Sequence, residues 1–174
     1  MVEIRRALAK DARALARIGI RVWEDFVESC NVDVDHVREH VHGVYHDGAQ
    51  CEWDTILVAV VGDSAIGWIA REQKDFRVSF LAIDPDHEKM GAATGLLSGL
   101  EEIISTDGFD CAEVELHSRN TKTVSFFLEN GYQIVSREMK YSTTLLESTE
   151  KLTMRKDLAE SETLATSAAT METS

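Results

Sequence analysis

The chain has 174 residues, 44% of them apolar, and this length and composition indicate one globular domain with a sizeable core. Its 31 acidic side chains outnumber the 18 basic ones, and the resulting net charge of -13 repels DNA and RNA, so no nucleic-acid partner is expected. No apolar run reaches the roughly 18 residues that a membrane helix needs, and the N-terminus has no signal-peptide core, so we expect no membrane attachment. Three cysteines without close pairing or metal-type spacing are typical of reduced thiols in the cytoplasm.

The hydrophobic pattern predicts the order β-α-α-β-β-β-α-β-α-β-β, which indicates an α/β (α+β) fold with a mixed sheet and helices on its faces. The predicted strands cover residues 2–7, 55–61, 64–73, 76–83, 111–117, 132–141 and 150–158. The predicted helices cover residues 10–30, 33–45, 91–105 and 121–129. Residues 159–174 contain no basic or aromatic residue and predict a disordered acidic tail, which leaves residues 1–158 as a single domain.

The stretch from residue 83 to residue 97, IDPDHEKMGAATGLL, predicts a strand end, a turn with the only proline, and a helix that opens on Gly91. It matches neither a P-loop nor a dinucleotide fingerprint. Free N–H groups at such a helix start carry partial positive charge, and the small side chains of Gly91, Ala92 and Ala93 allow a phosphate to approach. Together with the cation of Lys89, these features predict an anion site in an acidic protein.

This stretch resembles the acyl-CoA-binding motif of the GNAT superfamily of N-acetyltransferases, a strand followed by Gln/Arg-x-x-Gly-x-Gly/Ala at the start of a long helix. Here the motif reads Glu88-Lys89-Met90-Gly91-Ala92-Ala93. The resemblance runs from Val2 to about Leu158. Its pieces are the first strand and helix at residues 4–18, the second and third strands at 56–70, the Asn-containing helix at 120–133 and the last strand at 151–158.

The resemblance implies a GNAT-like, mostly antiparallel sheet of six to seven strands, flanked by about four helices and with splayed central strands. It also implies acetyl-CoA as co-substrate, with the pantetheine arm along one splayed strand and the pyrophosphate on the helix start. A main-chain N–H of that strand would polarise the thioester carbonyl. The residues it assigns to acetyl-CoA are Leu81, Ala82, Ile83, Glu88, Lys89, Met90, Gly91, Ala92, Ala93, Thr94, Asn120 and Phe127.

Three positions depart from the family pattern. Glu88 stands where the family has Gln or Arg, and a carboxylate beside a pyrophosphate weakens binding unless it turns away. Phe127 replaces the tyrosine that usually protonates the leaving thiolate, which leaves this role to water or to Ser125. Arg77 lies where many relatives carry a glutamate. These departures favour an alternative to the enzyme, namely a catalytically weak or inactive acyl-CoA-binding sensor or interaction module.

Glu115 and His117 are the candidate catalytic bases. Glu115 precedes Asn120 by five residues, an offset that resembles the general-base glutamate of N-terminal protein acetyltransferases of the ribosomal-protein type. Glu113 and His117 lie on the same side of the predicted strand because side chains repeat every two residues. The alternative interpretation is that all three are polar residues on an exposed sheet face.

The histidine-rich segment DHVREHVHGVYH does not predict a metal site. His36 and His40 are one helical turn apart, as are His42 and His46, but at about 100° per residue the two pairs do not converge on one ion. We therefore expect no metal. The family's acceptor pocket often borders this region, so the segment, with Trp23 and Phe26, is a candidate for substrate selection, although core packing explains these aromatic residues equally well.

The sequence thus predicts a cytoplasmic N-acetyltransferase that moves an acetyl group from acetyl-CoA directly to a primary amine. The acceptor is expected to be a small-molecule amine or a protein amino group, and a homodimer is compatible with this domain. A purely structural protein is disfavoured because it leaves the motif around Gly91 unexplained.

Overall fold

The computed structural model of the protein describes residues 1–30, 53–142, 145 and 147–159. Its sheet contains seven strands: β1 Glu3–Arg6, β2 Ile56–Val61, β3 Ser64–Arg71, β4 Arg77–Ile83, β5 Cys111–His117, β6 Gln133–Ser142 and β7 Glu147–Asp157. The α-helices of the described residues are α1 Ala12–Ser29, α2 Ala92–Thr106 and α3 Thr121–Glu129. None of these helices is long and apolar enough to span a bilayer.

The strands are ordered β1-β2-β3-β4-β5-β7-β6, and every neighbouring pair is antiparallel except β4 and β5. This confirms the predicted mixed, mostly antiparallel sheet of six to seven strands with flanking helices. The predicted helix at residues 33–45 lies outside the described residues, as does the predicted tail after Ala159. The domain boundary near residue 158 therefore stays a prediction.

The parallel pair of β4 and β5 separates soon after it begins. Its ladder joins Arg77 to Glu113 and Val78 to Val114, whereas β4 continues to Ile83 and β5 to His117. The rest of β5 stays paired with β7, so the opening lies between β4 and β5 alone. These are the splayed central strands that the family resemblance implied.

Two hydrophobic cores cover the two faces of the sheet. Strand β2 contributes to both, because Ile56, Val58 and Val60 pack with α1 while Leu57 and Ala59 pack with α2. Residues that alternate in this way along a strand point to opposite faces. A strand that is apolar on both faces needs a cover on each, and α1 and α2 therefore lie on opposite sides of the sheet.

Gly67 lets β3 approach β4 closely at the end of the splayed segment. Gly67 pairs with Ile83, and a Cβ atom on Gly67 would lie 2.6 Å from Ile83 Cδ1 and 3.0 Å from the carbonyl oxygen of Ala82. The side chain of Ile83 can rotate away, but the main chain of Ala82 cannot move without shifting β4. Gly67 thus sets the position of the strand that borders the opening.

We predict that Gly67→Ala lowers the free energy of unfolding by about 1–3 kcal/mol, because overpacking forces the backbone of β4 to shift. The matched control is Gly95→Ala in α2, where the nearest atom to the added Cβ is Ile4 Cγ1 at 3.4 Å. Alanine in a helix interior is favoured over glycine by about 0.5–1 kcal/mol, so the control should be more stable than the natural protein. Urea unfolding followed by circular dichroism measures both, and equal stabilisation by the two changes would contradict the close approach.

Candidate active site

A cavity of about 770 Å³ lies where β4, the turn after it, and the first turns of α2 and α3 meet. We call it the outer cavity. Residues from α1 close a further side, among them Val22 and Phe26. Nine predicted cofactor residues line it: Leu81, Ile83, Glu88, Lys89, Gly91, Ala92, Ala93, Thr94 and Asn120.

The turn between β4 and α2 is held against α1 by Arg21. One nitrogen of Arg21, Nη1, lies 2.9 Å from Asp84 Oδ1 and 3.0 Å from Asp86 Oδ2. Asp84 also accepts the main-chain N–H of Asp86 and caps the short 3₁₀ turn that starts at Pro85. This cation with two carboxylates fixes the direction in which the chain enters α2.

Helix α2 begins without a side-chain cap. Its N-cap residue, Gly91, has φ +81° and ψ 4°, a left-handed conformation that glycine adopts without strain. The first intrahelical bond runs from the N–H of Gly95 to the carbonyl of Gly91, so the N–H groups of Ala92, Ala93 and Thr94 have no partner within the helix. A Cβ atom on Gly91 would meet no other atom within 4 Å. The helix start therefore offers three donors and open space, which suits a phosphate group.

Glu88, which departs from the family pattern, is paired with Lys122. The Lys122 Nζ atom contacts Glu88 Oε1 directly, and the two residues come from different walls of the outer cavity. The side chain of Lys122 is 75% exposed, so the ammonium is accessible to a second anion. The negative charge of Glu88 is thus balanced by Lys122, and the pair places an ammonium group beside the start of α2.

A smaller cavity of about 210 Å³ adjoins the first at the splayed strands. We call it the inner cavity. It is lined by both candidate bases, Glu115 and His117, and by Phe127. The residues shared by the two cavities are Val22, Phe26, Leu81, Asn120 and Thr123. The chain therefore brings the predicted anion site and the predicted bases into two adjoining cavities that share five lining residues.

Glu115 is held in its charged form by two lysines. Lys140 Nζ lies 2.5 Å from Glu115 Oε2, and Lys151 Nζ lies 3.5 Å from Oε1. Burial disfavours the carboxylate, but the hydrogen bond and charge of Lys140, with the charge of Lys151, outweigh it and lower the pKa of Glu115. A carboxylate in this state is a weaker proton acceptor than an unpaired one.

His117 is half-buried beside this cluster. Its Nδ1 atom lies 3.1 Å from Thr149 Oγ1, and its ring lies against Phe26 with the centroids 5.6 Å apart. Burial, followed by the charge of Lys151, lowers the pKa of His117 below its usual value of 6.5. The imidazole is therefore neutral at pH 7 and can accept a proton.

Several predicted residues lie elsewhere. Ala82 is buried in the core on the α1 side of the sheet, and the side chain of Met90 is 46% exposed outside both cavities. Glu113, on the same strand as the candidate bases, pairs with Arg155 and lines neither cavity. Phe127 is fully buried between Phe126 and Tyr132, and only the inner cavity touches it.

The sequence analysis missed three residues of the first turn of α3. Thr121, Lys122 and Thr123 follow Asn120 in the chain, and all three line the outer cavity. Their position after the predicted asparagine was the signal that could have identified them, because a helix that begins at the site exposes its first turn to the ligand. The side chain of Ser125, proposed as an acid, is exposed outside both cavities.

The histidines at positions 36, 40, 42 and 46 lie outside the described residues. Within residues 1–30, 53–142, 145 and 147–159, no three His, Cys, Asp or Glu side chains are grouped so that they could hold a metal ion.

Solved structures with this fold support the architecture. The GCN5-related N-acetyltransferase from Rhodopseudomonas palustris is 20% identical, with a TM-score of 0.71 over 90% of this chain and 95% of that one. The PaiA N-acetyltransferase from Thermoplasma acidophilum, solved with coenzyme A, is 17% identical, with a TM-score of 0.72 over 90% and 99%. YncA from Salmonella typhimurium, solved with its cofactor acetyl-CoA, is 16% identical, with a TM-score of 0.65 over 91% and 94%. At these identities the likeness shows the fold.

The family is shown by the sequence itself. No curated protein sequence matches the chain significantly. A family model described as "Acetyltransferase (GNAT) domain" matches residues 27–157, well over half of the chain. The protein therefore belongs to the GNAT acetyltransferase domain family.

Proposed function

We propose that the protein transfers an acetyl group from acetyl-CoA directly to a primary amine of a small molecule or a protein. The observation that carries this proposal is that the uncapped start of α2 and the imidazole of His117 line two adjoining cavities at the opening between β4 and β5. The thioester would cross this opening, and the amine would enter through the inner cavity. PaiA and YncA, solved with coenzyme A and acetyl-CoA, have the same fold.

On the cofactor side, the pantetheine arm would lie along Leu81 to Ile83, whose main chain has no β5 partner beyond Val78. The pyrophosphate would accept hydrogen bonds from the N–H groups of the first turn of α2. Lys122 supplies the cation there, and Glu88 orients it instead of touching the phosphates. A main-chain N–H at Ile83 would polarise the thioester carbonyl, because that of Ala82 points toward β3, like the N–H of Asp84 that donates to Ile66.

For the transfer, the neutral amine nitrogen attacks the thioester carbon and gives a tetrahedral intermediate, whose carbon–sulfur bond then breaks. The nitrogen must lose one proton, and His117 is the acceptor that this environment favours. It is neutral at pH 7 and fixed by Thr149, whereas Glu115 is tied to two lysines. Glu115 then acts on His117 through its charge, which raises the pKa of that imidazole.

The leaving thiolate takes its proton from water or from the hydroxyl group of Thr123, a residue that lines both cavities. Phe127 has no proton to give, and Ser125 faces away from the opening. A second function, an acyl-CoA sensor without turnover, is favoured by this same loss of the usual tyrosine. Release of free thiol from acetyl-CoA across a panel of amines and peptides separates the two functions, because a sensor binds acetyl-CoA and releases none.

Acetyl-CoA should raise the melting temperature of the protein, because it binds the folded state alone. We predict that Gly91→Val removes this shift by filling the space above the start of α2. Gly108→Val is the matched control, since Gly108 has φ +95° and equally open surroundings but lies outside both cavities. Both changes strain the backbone, so only the loss of the ligand-induced shift distinguishes them. A full shift in Gly91→Val would refute the proposed phosphate site.

We predict that Lys122→Met weakens binding of CoA about 10- to 150-fold, since a hydrogen bond to a charged group contributes about 1.5–3 kcal/mol. Glu88→Gln should strengthen it, because it removes a negative charge from beside the pyrophosphate, while the glutamine carbonyl can still accept a hydrogen bond from Lys122. Neither change should affect binding of acetyl-pantetheine, which has no pyrophosphate. Lys74→Met is the control, because Lys74 is 72% exposed and pairs with Asp54. Calorimetric titration gives these affinities, and a Lys122→Met variant that binds CoA as tightly as the natural protein would contradict the role of Lys122.

We also predict the effect of changing the proposed base, His117. His117→Gln should lower turnover by about 10²- to 10⁴-fold with little change in acetyl-CoA affinity. In the natural protein, kcat/KM should fall as the pH drops through the lowered pKa of His117, because the protonated ring accepts no proton. Glu115→Gln should keep most of the turnover and move this acidic limb to lower pH, since the charge of Glu115 raises the pKa of His117.

By the same argument, Lys151→Met should move the acidic limb to higher pH, because the charge of Lys151 lowers the pKa of His117. NMR titration of the His117 ring checks both shifts independently of turnover. If Glu115→Gln abolishes turnover while His117→Gln spares it, Glu115 is the base.

A further inference from the structure

The inner cavity has two sides that differ in chemistry. Side chains alternate along β5, so Glu115 and His117 project from one face of the sheet. Val114 and Leu116 project from the other face, where they pack in the core that α2 covers. His117 meets Phe26 of α1. The proposed base therefore lies on the α1 side of the opening, and an apolar wall lies on the α2 side.

The apolar wall is made by residues of β4, β5 and α3 that belong to the core on the α2 side: Val78, Leu81, Val114, Leu116 and Phe127. Val78 and Val114 are each 5% exposed, and Phe127 is 0% exposed. Val78 and Val114 also face each other at the end of the ladder between β4 and β5, so the two strands close the inner cavity there. We call the part lined by Val78, Val114 and Phe127 the apex.

The proposed position of the thioester directs its acyl group toward the apex. The carbonyl would accept a hydrogen bond from the N–H of Ile83, and the strand from Val78 to Ile83 spans roughly 16 Å at about 3.3 Å per residue. The pantetheine arm would reach the carbonyl from the end of β4 that leads into α2. The acyl chain, on the other side of the carbonyl, would therefore extend toward Val78.

The inner cavity is larger than an acetyl group requires. Its volume is about 210 Å³, whereas a water molecule or a methyl group takes roughly 30 Å³. The family pattern has a phenol hydroxyl at position 127, and Phe127 replaces it with an apolar ring. The single methyl of an acetyl group would leave much of this apolar space unfilled, and a longer apolar chain would fill it.

We propose that the inner cavity takes acyl groups longer than acetyl, namely propionyl and butyryl, as their CoA thioesters, with the end of the chain in the apex. This inference rests on the proposed function, because it uses the same cofactor path. The reaction is unchanged at the carbonyl: the amine nitrogen bonds to the carbonyl carbon, the carbon–sulfur bond breaks, His117 takes the amine proton and water protonates the thiolate. The amine stays on the α1 side, beside His117.

Calorimetric titration of the full chain with CoA esters, without an amine, tests this proposal independently of turnover. Each methylene that moves from water to an apolar site strengthens binding about fourfold, so butyryl-CoA should bind about tenfold more tightly than acetyl-CoA. Succinyl-CoA has as many acyl carbons as butyryl-CoA but ends in a carboxylate, which is costly to bury among apolar side chains. It should therefore bind no more tightly than acetyl-CoA.

Butyryl-CoA that binds no more tightly than acetyl-CoA overturns the proposal, and so does succinyl-CoA that binds as tightly as butyryl-CoA. Thiol release in the presence of amines is measured separately. Preferential binding of butyryl-CoA without thiol release would refute the proposed transferase and leave the apex assigned to the acyl chain. A chain that binds none of the CoA esters would refute both proposals.

A matched pair of substitutions tests where the acyl chain ends. Val114→Leu adds a methylene to the apex, so the ratio of butyryl-CoA to acetyl-CoA affinity should fall about threefold or more. Val58→Leu makes the same change at a valine of β2 that is 0% exposed and lines neither cavity. It should leave this ratio unchanged. A folded Val114→Leu variant with an unchanged ratio overturns the proposal.

The same pair of variants should differ in stability without any ligand, because the added carbon finds free space in the apex alone. Val58→Leu overpacks a filled core and should lower the melting temperature by about 2–10 °C. Val114→Leu should lower it less. Circular dichroism records both melting curves, and a larger loss in Val114→Leu would show that the apex has no room for an acyl chain.

Discussion

The separation of β4 from β5 is the constraint on which the rest of the structure depends. After Val78 and Val114 the two parallel strands share no ladder, so the main chain of β4 up to Ile83 faces an opening. The opening persists because each strand is held on its other side, β4 by β3 and β5 by β7. Gly67 brings β3 close against β4, and Arg21 fixes the turn that follows β4. Binding at this place therefore needs no rearrangement of the core.

Strand and helix positions were predictable because local periodicity encodes them. The strand at residues 111–117 and the helix at Thr121–Glu129 match their predicted bounds, and the other described elements differ from theirs by a few residues at an end. For the strands, the pairing partner, and not the strand's own sequence, determines the residue at which the ladder ends. β7 begins at Glu147, three residues before its predicted start, because Ser142 of β6 pairs with it there. Such a limit depends on a contact between two strands, which periodicity does not contain.

The main-chain features of the candidate site were predictable from the sequence, whereas the ion pairs of its charged side chains were not. Gly91 follows from a short motif that needs small residues at the helix start, and Asn120 follows from the family resemblance. The pairing of Glu88 with Lys122 joins residues 34 positions apart, and that of Glu115 with Lys140 joins residues 25 apart. From the sequence alone, Glu88 was expected to weaken the binding of an anionic ligand, because its pairing with Lys122 could not be predicted. The same reasoning, applied to Glu115, is why we propose that its charge tunes the pKa of His117 and that it is not itself the base.

Phe127 shows how far the family pattern can change without loss of the fold. Its ring packs edge-on against Phe126 and Tyr132, with centroids 5.3 Å and 4.9 Å away, and it is fully buried. An aromatic ring at this position is thus a part of the core, and a missing hydroxyl alters none of these contacts. Loss of the hydroxyl leaves the proposed cofactor groove intact, because that groove is made by the main chain of β4 and the start of α2. In the reaction that we propose, the change therefore bears on the step in which sulfur leaves. A thiolate is a good leaving group, so water can serve as the proton donor in that step. The attack by the amine depends more strongly on a base, because the nitrogen must lose a proton.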